Sequence, residues 1–275
     1  MQTIYEPMGK AREYAPLALN LYESCPHGCR YCYAAGMAVR FGKAKSKAEW
    51  HGRATKARAG ILQALERKAK QMQGEKLPIL MCFTCDPYPP DEPVEDYTQD
   101  GYHCQHPYTR CAIMTLLENG LTPIILTKGG TRAVRDFDVL KAAGGWFGQT
   151  CSFTDTVSCR EWEPGAAWLP NRWAALEDAK KMSVNTWVSV EPVISPSQAL
   201  SAIALYANGQ TDHFKLGKLS GYSAETSAIE RSIDWPAYRK EARAILDAAG
   251  YREITEAGAV EVGTYYVKAE LRDAV

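Results

Sequence analysis

The 275-residue sequence has no apolar run approaching the roughly 20 residues that a membrane-spanning helix needs. Its opening stretch, MQTIYEPMGKAREY, lacks the apolar segment of a secretory signal. It has no net charge: 32 Lys and Arg balance 32 Asp and Glu, so nothing pulls it from a distance toward nucleic acid or an anionic membrane. No internal repeat, no low-complexity tract and no linker long enough to divide domains is present. The length and the share of apolar residues allow a substantial core in one large domain or two small ones. There are nine cysteines. Without an export signal they argue against a disulfide framework. In a reducing cytoplasm, clustered thiols are better explained by metal or redox chemistry.

The charge that is present is uneven. Residues 40–76 hold eleven Lys and Arg against three Asp and Glu, and residues 86–100 hold six Asp and Glu with no Lys or Arg. A solvated basic helix followed by an acidic loop accounts for this, and so does a phosphate-binding face. Along the chain, short apolar runs alternate with helical patterns. Strands are expected at 17–21, 77–85, 122–128, 148–154, 185–193 and 212–217, with a weak one near 264–269. Helices are expected at 47–73, 109–119, 132–143, 170–182, 196–208 and 235–249. This alternation predicts a parallel sheet with right-handed crossovers, either doubly wound or an incomplete barrel. In a parallel barrel, chemistry gathers at the C-terminal strand ends. Three cysteines, Cys85–Asp86, Lys128, Ser152–Thr154 and Glu191–Pro192 all fall there.

The three cysteines are Cys25, Cys29 and Cys32, within SCPHGCRYCYA at 24–34. Three thiolates can hold three irons of a cubane cluster and leave the fourth iron open. Gly28 permits the tight bend and Pro26 stiffens its approach. The rival is a zinc knot with His27 as fourth ligand. Zinc sites more often use two separated pairs. Cys82 and Cys85 have pair spacing, but in an extended run their side chains point to opposite faces.

The spacing Cys-x3-Cys-x2-Cys after a first strand, with an aromatic before the last cysteine, resembles the radical S-adenosylmethionine superfamily. TCDPYPPDE (84–92), IILTKGGTRAVRDFDVL (124–140) and REWEPGAAWLPNRWAAL (160–176) resemble its spore photoproduct lyase-like branch, often labelled DNA repair photolyase. WVSVEPVISPSQAL (187–200) and DHFKLGKLS (213–220) resemble a subgroup of that branch. The likeness runs over roughly 15–220. It implies an α/β fold, a partial (β/α)6 TIM-like barrel, over 1–220, with 221–275 a helix–strand extension packed on it. It further implies a [4Fe–4S] cluster held by Cys25, Cys29 and Cys32, with S-adenosylmethionine on the open iron. Tyr31 would lie near the adenine, Lys128 would bind the S-adenosylmethionine carboxylate, and Ser152 would join the same methionine-binding group. Asp86 and Thr154 would face the cofactor pocket.

Two departures from the branch stand out. Spore photoproduct lyases carry a cysteine hydrogen donor near the end of the second strand. Here Phe83 aligns at that place, which makes Cys85 the candidate donor. Glu191 stands where those lyases have a small apolar residue. As a carboxylate it can bind an amine, accept a base N–H, act as a base, or pair with a neighbouring cation. His103, Cys104 and His106, in a segment that looks inserted, are either metal ligands or part of a loop over the site. Cys111, Cys151 and Cys159 read as buried, and Trp146, Trp162, Trp168, Trp173 and Trp187 as core.

The expected activity is reductive cleavage of S-adenosylmethionine and hydrogen abstraction from a pyrimidine, in DNA or as a nucleotide. Base modification, isomerisation or lesion repair would follow. An electron donor such as flavodoxin or ferredoxin is implied. The alternatives are the same chemistry on a peptide or small metabolite, and a zinc-stabilised nucleic-acid-binding module.

Overall fold

The computed structural model describes residues 3–93, 97–99, 102–104, 106–220 and 223–274, with backbone alone at 97–99 and 102–104. In chain order its strands are β1 (Ile4–Tyr5), β2 (Leu17–Leu19), β3 (Pro78–Met81), β4 (Tyr97–Gln99), β5 (Tyr102–Cys104), β6 (Thr122–Thr127), β7 (Trp146–Thr150), β8 (Asn185–Val190), β9 (His213–Leu216), β10 (Arg252–Ile254) and β11 (Thr264–Val267). Nine of them form one open sheet in the order β1-β2-β3-β6-β7-β8-β9-β11-β10, and β4 and β5 form a separate antiparallel hairpin. Every adjacent pair in the large sheet is parallel except β1 with β2. The six central strands, each followed by helix, make a partial barrel, one of the two arrangements that the alternating pattern allows.

Both faces of the sheet are covered, which is why its strands read as near-continuous apolar runs. Leu65, Ile79, Ile125, Phe147, Val188 and Phe214 belong to the large core shared with the helices. The alternate residues Leu80, Ile124, Trp146 and Trp187 pack with Tyr14 in a second, inner cluster. Trp187 is fully buried, and its indole N–H donates to the Ile125 carbonyl at 2.8 Å. Gly148 makes room for it: a Cβ there would lie 2.3 Å from the ring.

The helix expected at 47–73 is two helices, Lys47–Gly52 and Ile61–Gln71. Gly60 sits between them at φ +64°, in the left-handed region, and breaks the run. The strand expected at 77–85 ends at Met81, because Cys82 takes φ +64°. That turn also overturns the expectation that Cys82 and Cys85 point apart; both line one cavity. The strand expected at 148–154 is Trp146–Thr150, and the chain leaves it before Ser152 and Thr154. The sequence reading missed β1, β10, the hairpin and the helices Tyr33–Arg40, Thr156–Trp162 and Ala224–Ser232. It placed five tryptophans in the core, but Trp168 is exposed beneath the Arg160 guanidinium, 3.7 Å from the ring centre. Trp146, Trp162 and Trp187 are buried and Trp173 is half-buried. Cys111, Cys151 and Cys159 are buried. The side chains of His103 and Cys104 lie outside the described residues, and His106 is exposed.

After β9 the chain returns through Ala224–Ser232 and Trp235–Ala248 to add β10 and β11 to the same sheet. β11 pairs with β9 from Thr264 opposite His213 to Val267 opposite Leu216. Lys268 is thereby set beside the end of β9, where its backbone N–H donates to the Leu216 carbonyl at 2.9 Å. Among the described residues, no helix is long and apolar enough to cross a membrane.

Candidate active site

A cavity of about 710 Å³ opens at the C-terminal ends of the central strands. Tyr31 and Tyr33 line it from the cysteine loop, Cys82, Cys85 and Asp86 from the end of β3, and Lys128 from the end of β6. Thr150, Glu191, Lys218 and Lys268 complete the wall on the far side.

The cysteine loop leaves β2 and runs into the helix Tyr33–Arg40. Gly28 bends it at φ +66°, and the Cys32 N–H donates to the Cys29 carbonyl at 3.0 Å. Cys32 is the N-cap of the helix, its sulfur accepting from the Ala35 N–H at 3.4 Å. Cys29 is buried; Cys25 and Cys32 are half-buried. Burial pushes the Cys29 thiol up to about 12 and the Cys25 thiol well above its ordinary range. Burial also opposes ionisation of Cys32, but hydrogen bonds from His51 and the helix N–H groups outweigh it and lower its pKa.

Cys25 and Cys29 become thiolates against a strong cation and Cys32 ionises more readily, so the donor set suits a metal-containing group. Among the described residues, no three His, Cys, Asp or Glu side chains are grouped as the ligands of one metal ion would be. Three thiols on one loop fit a cluster that takes one sulfur per iron. His27 is also committed elsewhere. Its Nδ1 lies 3.4 Å from Asp86, and its Nε2 lies 3.2 Å from the Arg132 guanidinium. Burial lowers its pKa to about 4.

Asp86 is a clasp. Its carboxylate accepts from the Thr127 hydroxyl at 2.5 Å, the Lys128 N–H at 2.8 Å and the Tyr88 N–H at 2.8 Å. Burial works against its charge, but His27 and these donors overcome it and hold its pKa low. It therefore joins the ends of β3 and β6 to the cysteine loop. Lys128 lies across the Tyr31 ring, 5.6 Å from its centre. Burial disfavours its charge, but Glu163 and Cys29 more than compensate and raise its pKa. An ammonium on a cavity wall is a ready carboxylate ligand.

Glu163 is a site residue that sequence reasoning passed over. It is buried, and accepts from the Tyr31 hydroxyl and the Arg172 guanidinium. Arg172, also buried, donates to the carbonyls of Ala167 at 3.0 Å and Thr150 at 2.9 Å. The signal was in REWEPGAAWLPNRW, whose Glu163 and Arg172 lie nine residues apart on opposite sides of a helix start. Tyr31 also stacks on Trp162, with ring centres 6.4 Å apart. Ser152 is buried two residues past the wall residue Thr150, and its hydroxyl has no partner. Thr154 is exposed and off the wall; its N–H donates to Gln198 at 3.2 Å. The chain has already turned away from the cavity at that point.

At the far end, Glu191 receives Lys268 on both oxygens, at 3.0 and 2.8 Å, and the Tyr14 hydroxyl on one. Gly217 allows this: a Cβ there would lie 2.6 Å from the carboxylate. Burial and Glu191 together push the Tyr14 phenol well above its ordinary range. For Lys268, burial opposes the charge but Glu191 outweighs it and raises the pKa. Lys215, fully buried beneath, donates to the carbonyls of Glu13 at 3.0 Å and Tyr14 at 2.8 Å. Tyr14 and Lys268 lie in no motif, Lys215 lies in DHFKLGKLS without having been singled out, and all three were missed.

No family model and no curated protein matches the chain. Solved structures do match in fold. Spore photoproduct lyase complexed with dinucleoside spore photoproduct is similar over 92% of this chain and 76% of its own, with a TM-score of 0.60 and 14% identity. Streptococcus suis SuiB bound to S-adenosylmethionine is similar over 94% of this chain and 52% of its own, with a TM-score of 0.56 and 13% identity. SuiB bound to precursor peptide SuiA is similar over 92% and 49%, with a TM-score of 0.56 and 14% identity. The chain shares its fold, an open partial barrel of parallel strands, with spore photoproduct lyase and SuiB.

Proposed function

We propose that this chain is a radical S-adenosylmethionine enzyme of the cytoplasm that holds a [4Fe–4S] cluster through Cys25, Cys29 and Cys32. One observation carries this reading: the loop offers three thiols, and its one histidine, His27, is locked between Asp86 and Arg132. When bound, the reduced cluster supplies the electron that cleaves S-adenosylmethionine to a 5′-deoxyadenosyl radical. Lys128 binds the carboxylate of that cosubstrate, its backbone fixed by Asp86 at the Lys128 N–H. Tyr31, held by Glu163, supplies an aromatic face for the adenine. Ser152 offers its unpartnered hydroxyl to the methionine end, and Thr154 acts at most from the exposed margin. Flavodoxin or ferredoxin would deliver the electron.

The substrate binds between the Cys85 wall and Glu191. Cys85 returns a hydrogen atom, and Glu191 accepts a hydrogen bond from the substrate. A pyrimidine in DNA or a nucleotide fits this pairing, leading to base modification, isomerisation or lesion repair. Its ring would pack among Tyr14, Tyr33 and Phe83. The basic 40–76 stretch would meet the phosphate backbone. A peptide substrate is the second reading, supported by the likeness to SuiB bound to its precursor peptide.

The test is anaerobic reconstitution with iron and sulfide, reduction, and addition of S-adenosylmethionine. Formation of 5′-deoxyadenosine is expected. Deuterium moving from a labelled thymine derivative or peptide into that product would identify the substrate. Cys29→Ala is expected to lose both bound iron and turnover; a variant that kept its iron would refute the ligand set.

A further inference from the structure

Cys82 has no part in the chemistry above, yet the structure builds it into the cavity wall at a cost. Among the described residues, only Cys82 and Ser183 combine a side chain with positive φ. A non-glycine residue is strained in that region. The strain is imposed where β3 ends: the Cys82 N–H stays on the β2 side, donating to the Leu19 carbonyl at 2.6 Å. The left-handed turn brings Cys82 and Cys85, with two residues between them, to the same cavity wall. Neither is in a disulfide. Cys82 is buried and Cys85 half-buried, so a reagent entering the cavity meets Cys85 first.

We propose that Cys82 and Cys85 are a dithiol–disulfide pair. The oxidant is a small disulfide of the glutathione class. Cys85 attacks one of its sulfurs, giving a mixed disulfide and releasing one thiol. Cys82 then attacks the Cys85 sulfur and releases the second thiol. Two S–H bonds are lost from the protein, one S–S bond forms, and the oxidant is reduced to two thiols that take up the two protons. Cys82 is thus the resolving thiol. Its consequence for turnover rests on the reading of Cys85 as hydrogen donor: the oxidised pair has no hydrogen atom to give.

The experiment uses the full chain with its cluster reconstituted. It is incubated anaerobically with oxidised glutathione, alkylated and digested. Cys82, Cys85 and Cys104 share one tryptic fragment, Leu77–Arg110, so a Cys104→Ser chain is run in parallel. Loss of two hydrogens from that fragment is expected in both chains. In Cys82→Ser the same fragment should carry a glutathione adduct on Cys85, and Cys82→Ala repeats the measurement should the serine variant fail to fold. The proposal is overturned by an adduct on Cys85 with Cys82 still free in the unmutated chain. Disappearance of the two-hydrogen loss in Cys104→Ser, or no reaction at all, overturns it equally. The readout needs no S-adenosylmethionine. A chain that forms 5′-deoxyadenosine but no Cys82–Cys85 disulfide would refute this proposal alone, and the reverse result would refute the proposed function alone.

Discussion

The two ends of the cavity hold charge in different ways. At the cysteine end, Glu163 and Arg172 are both fully buried and paired, and Asp86 is satisfied by four neighbours. These groups grip Tyr31, Lys128 and His27, and so hold the loop that carries the thiols. At the Glu191 end, the carboxylate remains partly open to the cavity, with 15% of its side chain exposed. Its partners Lys268 and Tyr14 come from opposite ends of the chain. One end has charge used as scaffold; the other has charge that faces whatever enters. The difference predicts which substitutions unfold the protein and which alter only its chemistry.

Arg172→Met should have the largest effect on stability. It leaves the buried Glu163 carboxylate without its main partner, and breaking one side of a buried pair costs about 3–5 kcal/mol. Urea denaturation should show that loss. Restoring neutrality with Glu163→Gln in the same chain should recover much of it. A loss within about 0.5 kcal/mol, the range of ordinary surface substitutions, would contradict a scaffold role for the pair.

Glu191→Gln should act the opposite way. Lys268 is buried, but it keeps a hydrogen-bond acceptor beside it, so the loss of stability should be smaller than for Arg172→Met. Hydrogen-bonding and acid–base roles of this kind are worth about 10²–10⁴-fold in rate. Substrate conversion should fall by at least the lower figure, while 5′-deoxyadenosine formation in the absence of substrate persists. If both reactions fall together, Glu191 belongs to the scaffold and the contrast between the two ends fails. Gly217→Ala offers a finer probe, because its methyl group displaces the carboxylate without changing its charge.

The same contrast explains what could be read from the sequence. The cysteine loop was legible because its three cysteines lie within eight consecutive residues and its fold is set by a local turn. The six central strands were legible because burial on both faces writes an apolar run. The place of Lys128 on the cavity wall was legible because a strand end marks it. Glu163 was not, because a carboxylate in a helical, charged stretch looks like surface until Arg172 is seen beside it. Tyr14, Lys215 and Lys268 were invisible for a stronger reason. Lys268 meets Glu191 only after β11 docks on β9, a pairing between segments some fifty residues apart, and Tyr14 meets Lys215 across 201 residues of chain. Cys82 and Cys85 were misread because alternation along a strand was carried past the point where the strand stops.

Lys215 offers the smallest effect and the sharpest test of the inner layer. It is fully buried between Tyr14 and Trp187, with its ammonium 5.7 and 5.6 Å from the two ring centres. Burial first, then the charge of Lys268, lowers its pKa from 10.5 to about 7. Between those values the folded chain has released a proton that the unfolded chain still binds. Stability contributed by this residue therefore rises with pH above about 7, at up to about 1.4 kcal/mol per pH unit. Below that pH both states are protonated and the contribution is flat. Lys215→Met removes the titration along with two hydrogen bonds to the Glu13 and Tyr14 carbonyls. Urea midpoints at pH 6.5 and pH 8.5 should show the unmutated chain gaining stability relative to the variant as pH rises. An unchanged difference would mean that Lys215 keeps its proton, and that its ammonium holds the 13–14 backbone as a permanent cation.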